Sequence, residues 1–132
     1  MTDAPAYFLP LGDGRYQPTD ATTSPWDDSA QHGGPPTALL ATVIDRALAS
    51  PSQRLARITV EFLGPIPRRE LSVQSRVIRP GKRIALSEAT MVVDGRPVAI
   101  ARAWHVATGA APPDGTRRPL PDIPALPAEQ PQ

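Results

Sequence analysis

The sequence contains no cysteine and has few histidines, lysines and aromatic residues. Without cysteine, the chain can form no disulfide, no thiolate nucleophile and no cysteine-ligated zinc site. Its two histidines are too few for an all-histidine metal site, so we expect no bound metal. Basic and acidic residues number 14 and 13, which gives a net charge of +1. A balance this even does not favour a nucleic acid or an acidic membrane surface as partner.

The chain also lacks any apolar run that approaches the roughly 20 residues of a membrane-spanning helix. Its first residues show neither the basic nor the apolar segment of a secretion signal. At 132 residues, the chain has the length of one domain with a core of ordinary size. We therefore expect a cytoplasmic protein that does not bind membranes. The excess of arginine over lysine, 13 to one, is consistent with a GC-rich bacterial genome.

The most extended apolar pattern lies between Gln31 and Ser50 and predicts one long helix. Its apolar residues follow helical spacing and form a wide stripe: Leu39, Leu40, Val43, Ile44, Ala47 and Leu48. Pro35 and Pro36 suit the first turn, where N–H groups have no partner within the helix. The preceding pair, Gly33 and Gly34, would let another molecule approach the positive end of the helix. The alternative is that the pair only makes a tight turn.

Alternating segments on both sides of this helix predict an antiparallel sheet. Two short strands flank the turn Gly12-Asp13-Gly14, and a loop containing Trp26, which we expect to cover one helix end, leads to the glycine pair. Four strands are predicted after the helix, at 57–63, 71–79, 83–94 and 96–106. The Asp94-Gly95 pair is typical of a two-residue hairpin. The order β-β-α-β-β-β-β predicts an α+β fold in which a curved antiparallel meander wraps around the central helix.

The end of the chain differs in composition, since seven of residues 109–132 are proline. Apolar periodicity is largely absent there, so we expect an extended or disordered tail or a linker. The predicted folded unit is therefore residues 1–108.

A set of segments, in this order, resembles the N-terminal unit of TesB-type acyl-CoA thioesterase-like proteins, which have the hotdog fold. They are Trp26 with Gln31–Leu40, Thr59–Pro67, Arg79–Arg83, Glu88-Ala89 and Asp94–Ala99. The resemblance covers roughly residues 8–106 and implies a hotdog fold that acts on acyl-CoA, with no cofactor besides the coenzyme A of the substrate. Family members usually carry two hotdog units, with most catalytic side chains in the second. Since this chain has the length of one unit, we expect a homodimer or higher oligomer, or a need for a second hotdog unit.

Thioester hydrolysis needs hydrogen-bond donors for the developing oxyanion. By resemblance to hotdog thioesterases, these donors are backbone N–H groups at the start of the helix. Pro35 and Pro36 have no N–H, so Gly34 is the predicted donor, with Gly33 beside it.

The reaction also needs a group that activates water. His32 would polarise the thioester or a water molecule, or else bond to a backbone carbonyl beside the turn. Asp27 and Asp28 would reach the glycine turn, or else hydrogen-bond within their own loop.

The His-Gly-Gly sequence also resembles PaaI-type single-hotdog thioesterases, in which a catalytic helical aspartate follows after about two turns. Ala41 occupies that position here, so the expected carboxylate is missing. Asp45 lies one turn further on and is expected to pair with Arg46 or to contact the helix end. This departure favours the alternative that the chain is a non-catalytic structural or acyl-CoA-binding unit.

The segment from Arg68 to Arg83 is the predicted coenzyme-binding surface, because six of its residues are basic and only Glu70 is acidic. Arginine forks suit phosphate groups, and a Pro-Gly turn lets the backbone approach them. Arg79, Gly81, Lys82 and Arg83 are therefore the predicted phosphate ligands. The alternative is a solvated strand edge that discourages aggregation. The segment has no aromatic residue, unlike a typical site for single-stranded nucleic acid.

Glu88 shares a strand face with apolar residues, and a carboxylate in such a place needs a partner. Arg102 lies across the predicted hairpin and is the natural candidate. We therefore interpret Glu88 as structural.

The sequence as a whole predicts an acyl-CoA thioesterase-like protein that hydrolyses or binds acyl thioesters at a hotdog dimer interface. Whether it is an enzyme stays open, because the alternative is a non-catalytic hotdog unit that needs a second domain or subunit.

Overall fold

The computed structural model describes residues 6–48, 50–111, 113–115 and 119–125. The elements occur in the predicted order. They are β1 (Phe8–Gly12), β2 (Arg15–Pro18), a short 3₁₀ turn (Asp20–Thr22), α1 (Gly34–Leu48), β3 (Gln53–Phe62), β4 (Leu71–Arg79), β5 (Ile84–Val93) and β6 (Arg96–Ala107). Strand β3 begins four residues before its predicted start at 57. A bulge between Leu55 and Arg57 puts the first part of the strand out of phase with the rest, which hides it from a search for alternation.

All six strands form one antiparallel sheet in the order β1-β2-β4-β5-β6-β3. The predicted meander is wrong at one point, because β3 pairs with β6 and not with β4. The connection from β3 to β4 spans residues 63–70 and contains Pro65 and Pro67, and it is too long for the tight hairpin turn of a meander. This segment crosses the start of the helix instead, where the Gln31 N–H donates to the Ile66 carbonyl at 2.8 Å. After this crossing, β4 pairs with β2.

The hairpin between β5 and β6 is confirmed at Asp94 and Gly95. Both residues have positive φ angles, 48° and 75°. A type I′ turn requires such angles at both central residues, and its twist matches that of the flanking strands. The pairing of Val93 with Arg96 sets the register of the two strands that line most of the core.

The core lies between α1 and one face of the sheet. Leu40 and Ile44 of the helix are fully buried. Four of the buried strand residues in this core are alanines: Ala89, Ala99, Ala101 and Ala103. Short side chains there let the helix approach the sheet closely. The opposite side of α1, which includes Ala38 and Thr42, is exposed, so the sheet covers the helix on one side.

Glu88 pairs with Arg102 as predicted, with 2.8 Å between Arg102 Nε and a carboxylate oxygen. Arg76 of β4 is a second partner at 2.9 Å. Hydrogen bonds from Arg102 and Arg76 hold the pKa of Glu88 below its ordinary value. The second arginine could not be anticipated, because its position opposite Glu88 follows from the register of β4 against β5.

Two regions outside the sheet complete the description. Trp26 is 87% exposed, so the prediction that it covers one end of the helix is wrong. The described residues after β6 form turns and coil. The boundary placed after residue 108 stays a prediction. Within the described residues, no helix has the length and apolar character of a membrane span.

Candidate functional site

The glycine pair lies at the start of α1, as predicted, with Gly34 as the first helical residue. The Gly33 carbonyl accepts hydrogen bonds from the Thr37 N–H at 3.3 Å and from Thr37 Oγ1 at 2.8 Å, which close the first turn. Both glycines are exposed. Because the first N–H groups of a helix have no partner within it, this end can donate hydrogen bonds to an incoming group.

Two side-chain rings flank the glycine pair. A Cβ atom at Gly33 would lie 3.4 Å from the Phe62 ring, and one at Gly34 would lie 3.4 Å from the His32 ring. The His32 ring also makes an edge contact with Tyr7, with ring centroids 6.4 Å apart. We call His32, Gly33 and Gly34, with Tyr7 and Phe62 around them, the helix-entry site. It combines free backbone donors, one imidazole and two half-exposed aromatic side chains.

His32 is held through its main chain, since its N–H donates to the Thr22 carbonyl at 2.9 Å. This bond involves the peptide group only, and the alternative expected for the side chain, a hydrogen bond from the imidazole to a backbone carbonyl beside the turn, stays a prediction. The imidazole contacts the Tyr7 ring and lies beside Gly34. In that place it can reach a water molecule or a carbonyl group bound at the helix start.

Asp27 and Asp28 do not share a cavity with the glycine pair. The Asp27 carboxylate accepts from the Ser29 hydroxyl at 2.6 Å and the Ser29 N–H at 2.8 Å, and both bonds hold its pKa below the ordinary value. Both aspartates line a cavity of about 370 Å³ whose other walls include Pro65 and Arg68. The two bonds of Asp27 agree with the alternative expectation for this residue, in which it hydrogen-bonds within its own loop. The catalytic role of the two residues stays a prediction.

The four residues assigned to coenzyme A do come together, around a cavity of about 590 Å³. Its lining is Arg79, Gly81, Lys82, Arg83, Ile84, Val106 and Ala107, and we call it the basic cavity. Three cationic side chains and no carboxylate line it. Their apolar neighbours on β5 and β6 form a further wall. This combination suits an anionic ligand that also has an apolar part.

Gly81 is required by the geometry of the turn that carries these residues. A Cβ atom at this position would clash with the Ile84 carbonyl oxygen, closer than real Cβ contacts essentially ever come. The same oxygen accepts a hydrogen bond from Arg79 Nη1 at 3.0 Å. Arg79 therefore supports the turn and lines the cavity as well.

Asp45 forms a contact that sequence reasoning missed. The sequence predicts that it pairs with Arg46 or contacts the helix end, whereas the structure places it 3.2 Å from Nε2 of His105 on β6. Both residues line a cavity of about 350 Å³ near the end of α1. Asp45 is about 16 Å along the helix from Gly34. It therefore does not supply a carboxylate to the helix-entry site.

Phe62 is another residue that sequence reasoning missed as a member of the site. It alternates with Ile58 and Val60 in the sequence, which places the three on one face of β3 but indicates no contact with the glycine pair. The contact with Gly33 depends on how the helix start meets the end of the strand. No local signal in the sequence carries that information. In the described part of the chain, no group of three or more potential ligands is placed to hold a metal ion.

The sequence matches one family model over residues 22–106, that of the acyl-CoA thioesterase N-terminal domain. The match includes the helix-entry site except Tyr7, and the whole basic cavity except Ala107. No curated protein matches the chain.

Solved structures with a similar fold include a phenylacetic acid degradation-related protein of Ralstonia eutropha, at 24% identity and a TM-score of 0.64 over 70% of this chain and 73% of that one. The PaaI protein of E. coli has 20% identity and a TM-score of 0.63 over 77% and 78%. A Bacillus halodurans protein solved with CoA has 18% identity and a TM-score of 0.62 over 71% and 69%. At these identities the similarity shows the fold alone, and it confirms the predicted hotdog α+β fold.

Proposed function

Since this chain belongs to the acyl-CoA thioesterase N-terminal domain family, we propose that it is a TesB-type hotdog protein that binds acyl-CoA and hydrolyses its thioester bond. We propose further that it acts as a cytoplasmic homodimer. The observation that carries the proposal is the basic cavity, in which three cations surround one glycine turn. The CoA bound to the Bacillus halodurans protein of the same fold supports this choice of ligand.

The free edge of β3 supports the dimer. Among the described residues, β3 pairs with β6 only, and a long unpaired edge is a template for another strand. Two copies of β3 can pair antiparallel about a two-fold axis, which is the commonest symmetry of oligomers. The beginning of each strand then lies beside the end of the other.

This pairing brings together two sites that are distant within one protomer. Gln53, which bonds to the turn of the basic cavity, and Phe62, which contacts the helix-entry site, are about 30 Å apart along β3. In the antiparallel dimer, the basic cavity of one protomer comes beside the helix-entry site of its partner. One acyl-CoA then places its phosphates on one protomer and its thioester on the other, so that each site needs both copies.

The chemistry follows from the groups at the helix-entry site. The thioester carbonyl accepts a hydrogen bond from the Gly34 N–H, whose position at the positive end of the helix favours the developing oxyanion. His32 takes a proton from a water molecule as the water oxygen adds to the carbonyl carbon. When the C–S bond breaks, the thiolate of coenzyme A takes that proton from His32. The products are a carboxylic acid and coenzyme A.

The test is release of free coenzyme A from a panel of acyl-CoA substrates by the purified protein. The panel includes phenylacetyl-CoA, because the names of two proteins with the same fold refer to phenylacetic acid degradation. We expect hydrolysis of at least one substrate, with kcat lowered by His32→Ala and unchanged by Arg46→Ala, a change on the exposed side of α1. A purified dimer that hydrolyses no member of the panel would contradict the proposal.

A second candidate function is an acyl-CoA-binding unit without its own activity. Ala41 stands where the PaaI-type pattern has an aspartate, and the next carboxylate on the helix, Asp45, is engaged with His105. This candidate predicts binding of acyl-CoA without turnover. It also predicts that hydrolysis appears when a second hotdog chain is supplied.

A further inference from the structure

Gln53, the first residue of β3, connects this edge strand to the turn of the basic cavity. Its side-chain Nε2 donates to two consecutive carbonyls, Gly81 O at 2.7 Å and Lys82 O at 2.9 Å. The turn joins β4 to β5, and β6 lies between β5 and β3 in the sheet. The Gln53 side chain therefore reaches past the end of β6 and holds the turn between β4 and β5. Strand β3 itself does not pair with either of those strands.

The carbonyls that follow in this turn are also bound by the protein. Arg83 O accepts from the Ala107 N–H at 2.8 Å, and Ile84 O accepts from Arg79 Nη1 at 3.0 Å. Four consecutive carbonyls, from 81 to 84, thus have donors within the protein. A carbonyl oxygen carries partial negative charge and repels an anion. Holding these oxygens against protein donors keeps them from a phosphate in the cavity.

The direction of these carbonyls also sets the direction of the neighbouring N–H groups. The peptide bonds here are trans and planar, so each C=O points opposite to the N–H of the next residue. With the carbonyls of Gly81 and Lys82 turned to Gln53, the N–H groups of Lys82 and Arg83 point away from it. Successive N–H groups with a common direction form a concave site for anions.

We propose that Gln53 is the positioning residue of the phosphate site, which holds the 81–84 turn so that the Lys82 and Arg83 N–H groups bind the phosphates of the ligand together with their own side chains. This rests on the proposed function in one respect, namely that the phosphates belong to coenzyme A. Gln53 itself touches neither the phosphate nor the thioester. Removing the Gln53 amide would leave the Gly81 and Lys82 carbonyls free to rotate toward the basic cavity.

The experiment compares Gln53→Met, which keeps the length of the side chain and removes the donor, with Gln53→Glu, which places a carboxylate against the two carbonyls. Gln74→Ala, an exposed glutamine on β4 outside the basic cavity, is the matched control. Binding of adenosine 3′,5′-bisphosphate, which carries phosphates of coenzyme A without a thioester, is measured by calorimetry. We expect the Kd to rise about tenfold in Gln53→Met, more in Gln53→Glu, and not at all in Gln74→Ala.

Kinetics separate positioning from general damage to the fold. With acyl-CoA, Gln53→Met should raise KM and leave kcat unchanged, whereas acyl-pantetheine, which lacks the nucleotide phosphates, should be hydrolysed as by the wild type. Unchanged bisphosphate affinity in Gln53→Met and Gln53→Glu would overturn the proposal. An equal loss with acyl-pantetheine would overturn it too, because the effect would then be structural. If the bisphosphate result holds and the wild type hydrolyses no thioester, the inference stands and the proposed function fails.

Discussion

The Nε2 atom of His105 lies 3.2 Å from Oδ1 of Asp45, and this contact joins the middle of the sheet to the last turns of α1. The histidine is 1% exposed and the aspartate 61% exposed, so the pair extends from the core to the surface. The other ring nitrogen of His105 has no hydrogen-bond partner in the described part of the chain. Among the described residues, Asp45 is therefore the one side chain that hydrogen-bonds to this buried imidazole.

The first prediction concerns this pair. Asp45→Ala should lower the free energy of unfolding by about 1–2 kcal/mol, because it leaves a buried imidazole without its hydrogen bond. Arg46→Ala removes an exposed charge from the same turn and should cost less than about 0.5 kcal/mol. Urea unfolding followed by circular dichroism measures both changes. Equal effects of the two substitutions would show that the His105 contact does not stabilise the fold.

The second prediction concerns Glu88, whose carboxylate lies between Arg102 and Arg76 and is 11% exposed. Glu88→Gln should lower the free energy of unfolding at neutral pH by about 1 kcal/mol, a small value because both arginines are largely exposed. Glu70→Gln is the control, since Glu70 makes an ion pair with Arg15 in which both side chains are about half exposed. That change should be close to neutral.

The stabilisation by Glu88 should also depend on pH. Its pKa in the folded protein lies below the ordinary value of 4.5, mainly through the hydrogen bonds from Arg102 and then Arg76. The stabilisation is therefore complete above the unfolded-state pKa and is lost as the pH falls through the folded-state pKa. Urea unfolding from pH 7 to pH 3 should show the wild type and Glu88→Gln converging below pH 4.5. A difference that stays constant over this range would contradict the assignment.

The third prediction concerns the turn of the basic cavity. Gly81→Ala places a methyl group against the Ile84 carbonyl oxygen, which belongs to the backbone and cannot move aside cheaply. The turn must shift, and affinity for coenzyme A should fall on the order of tenfold. Gly64→Ala is the matched control, because a Cβ atom there has nothing within 4 Å. Calorimetric titration with coenzyme A measures the affinity of both variants. Equal affinities would show that the Gly81 turn does not take part in binding.

The fourth prediction concerns Phe62. Its half-exposed ring beside Gly33 offers an apolar surface to the acyl group, so Phe62→Ala should lower kcat/KM for long or aromatic acyl-CoA by about tenfold. Acetyl-CoA, which is too short to use the ring, should be affected less. Leu11→Ala changes a similarly exposed apolar residue on β1 and should leave the preference unchanged. A uniform loss across all acyl lengths would mean that Phe62 does not select the substrate.

Much of this fold could be predicted because it is encoded in local patterns. The stripe from Leu39 to Leu48 predicted α1, and alternation predicted the strands to within a few residues. Asp94-Gly95 predicted its hairpin because few residues accept two positive φ angles in succession. The resemblance added the hotdog arrangement. The grouping of Arg79, Gly81, Lys82 and Arg83 was also predictable, since residues in one tight turn remain neighbours in any fold.

The tertiary structure alone decided which distant segments meet. Periodicity shows which face of a strand is buried, but it does not specify the neighbouring strand, so the pairing of β3 with β6 could not be derived from it. The contacts of Gln53 with the 81–82 carbonyls, of Phe62 with Gly33 and of Asp45 with His105 all depend on that order. The sequence by itself therefore determined the elements and one charged turn. The arrangement of the strands determined which residues hold that turn and which surround the start of the helix, because both depend on side chains that are far apart in the chain.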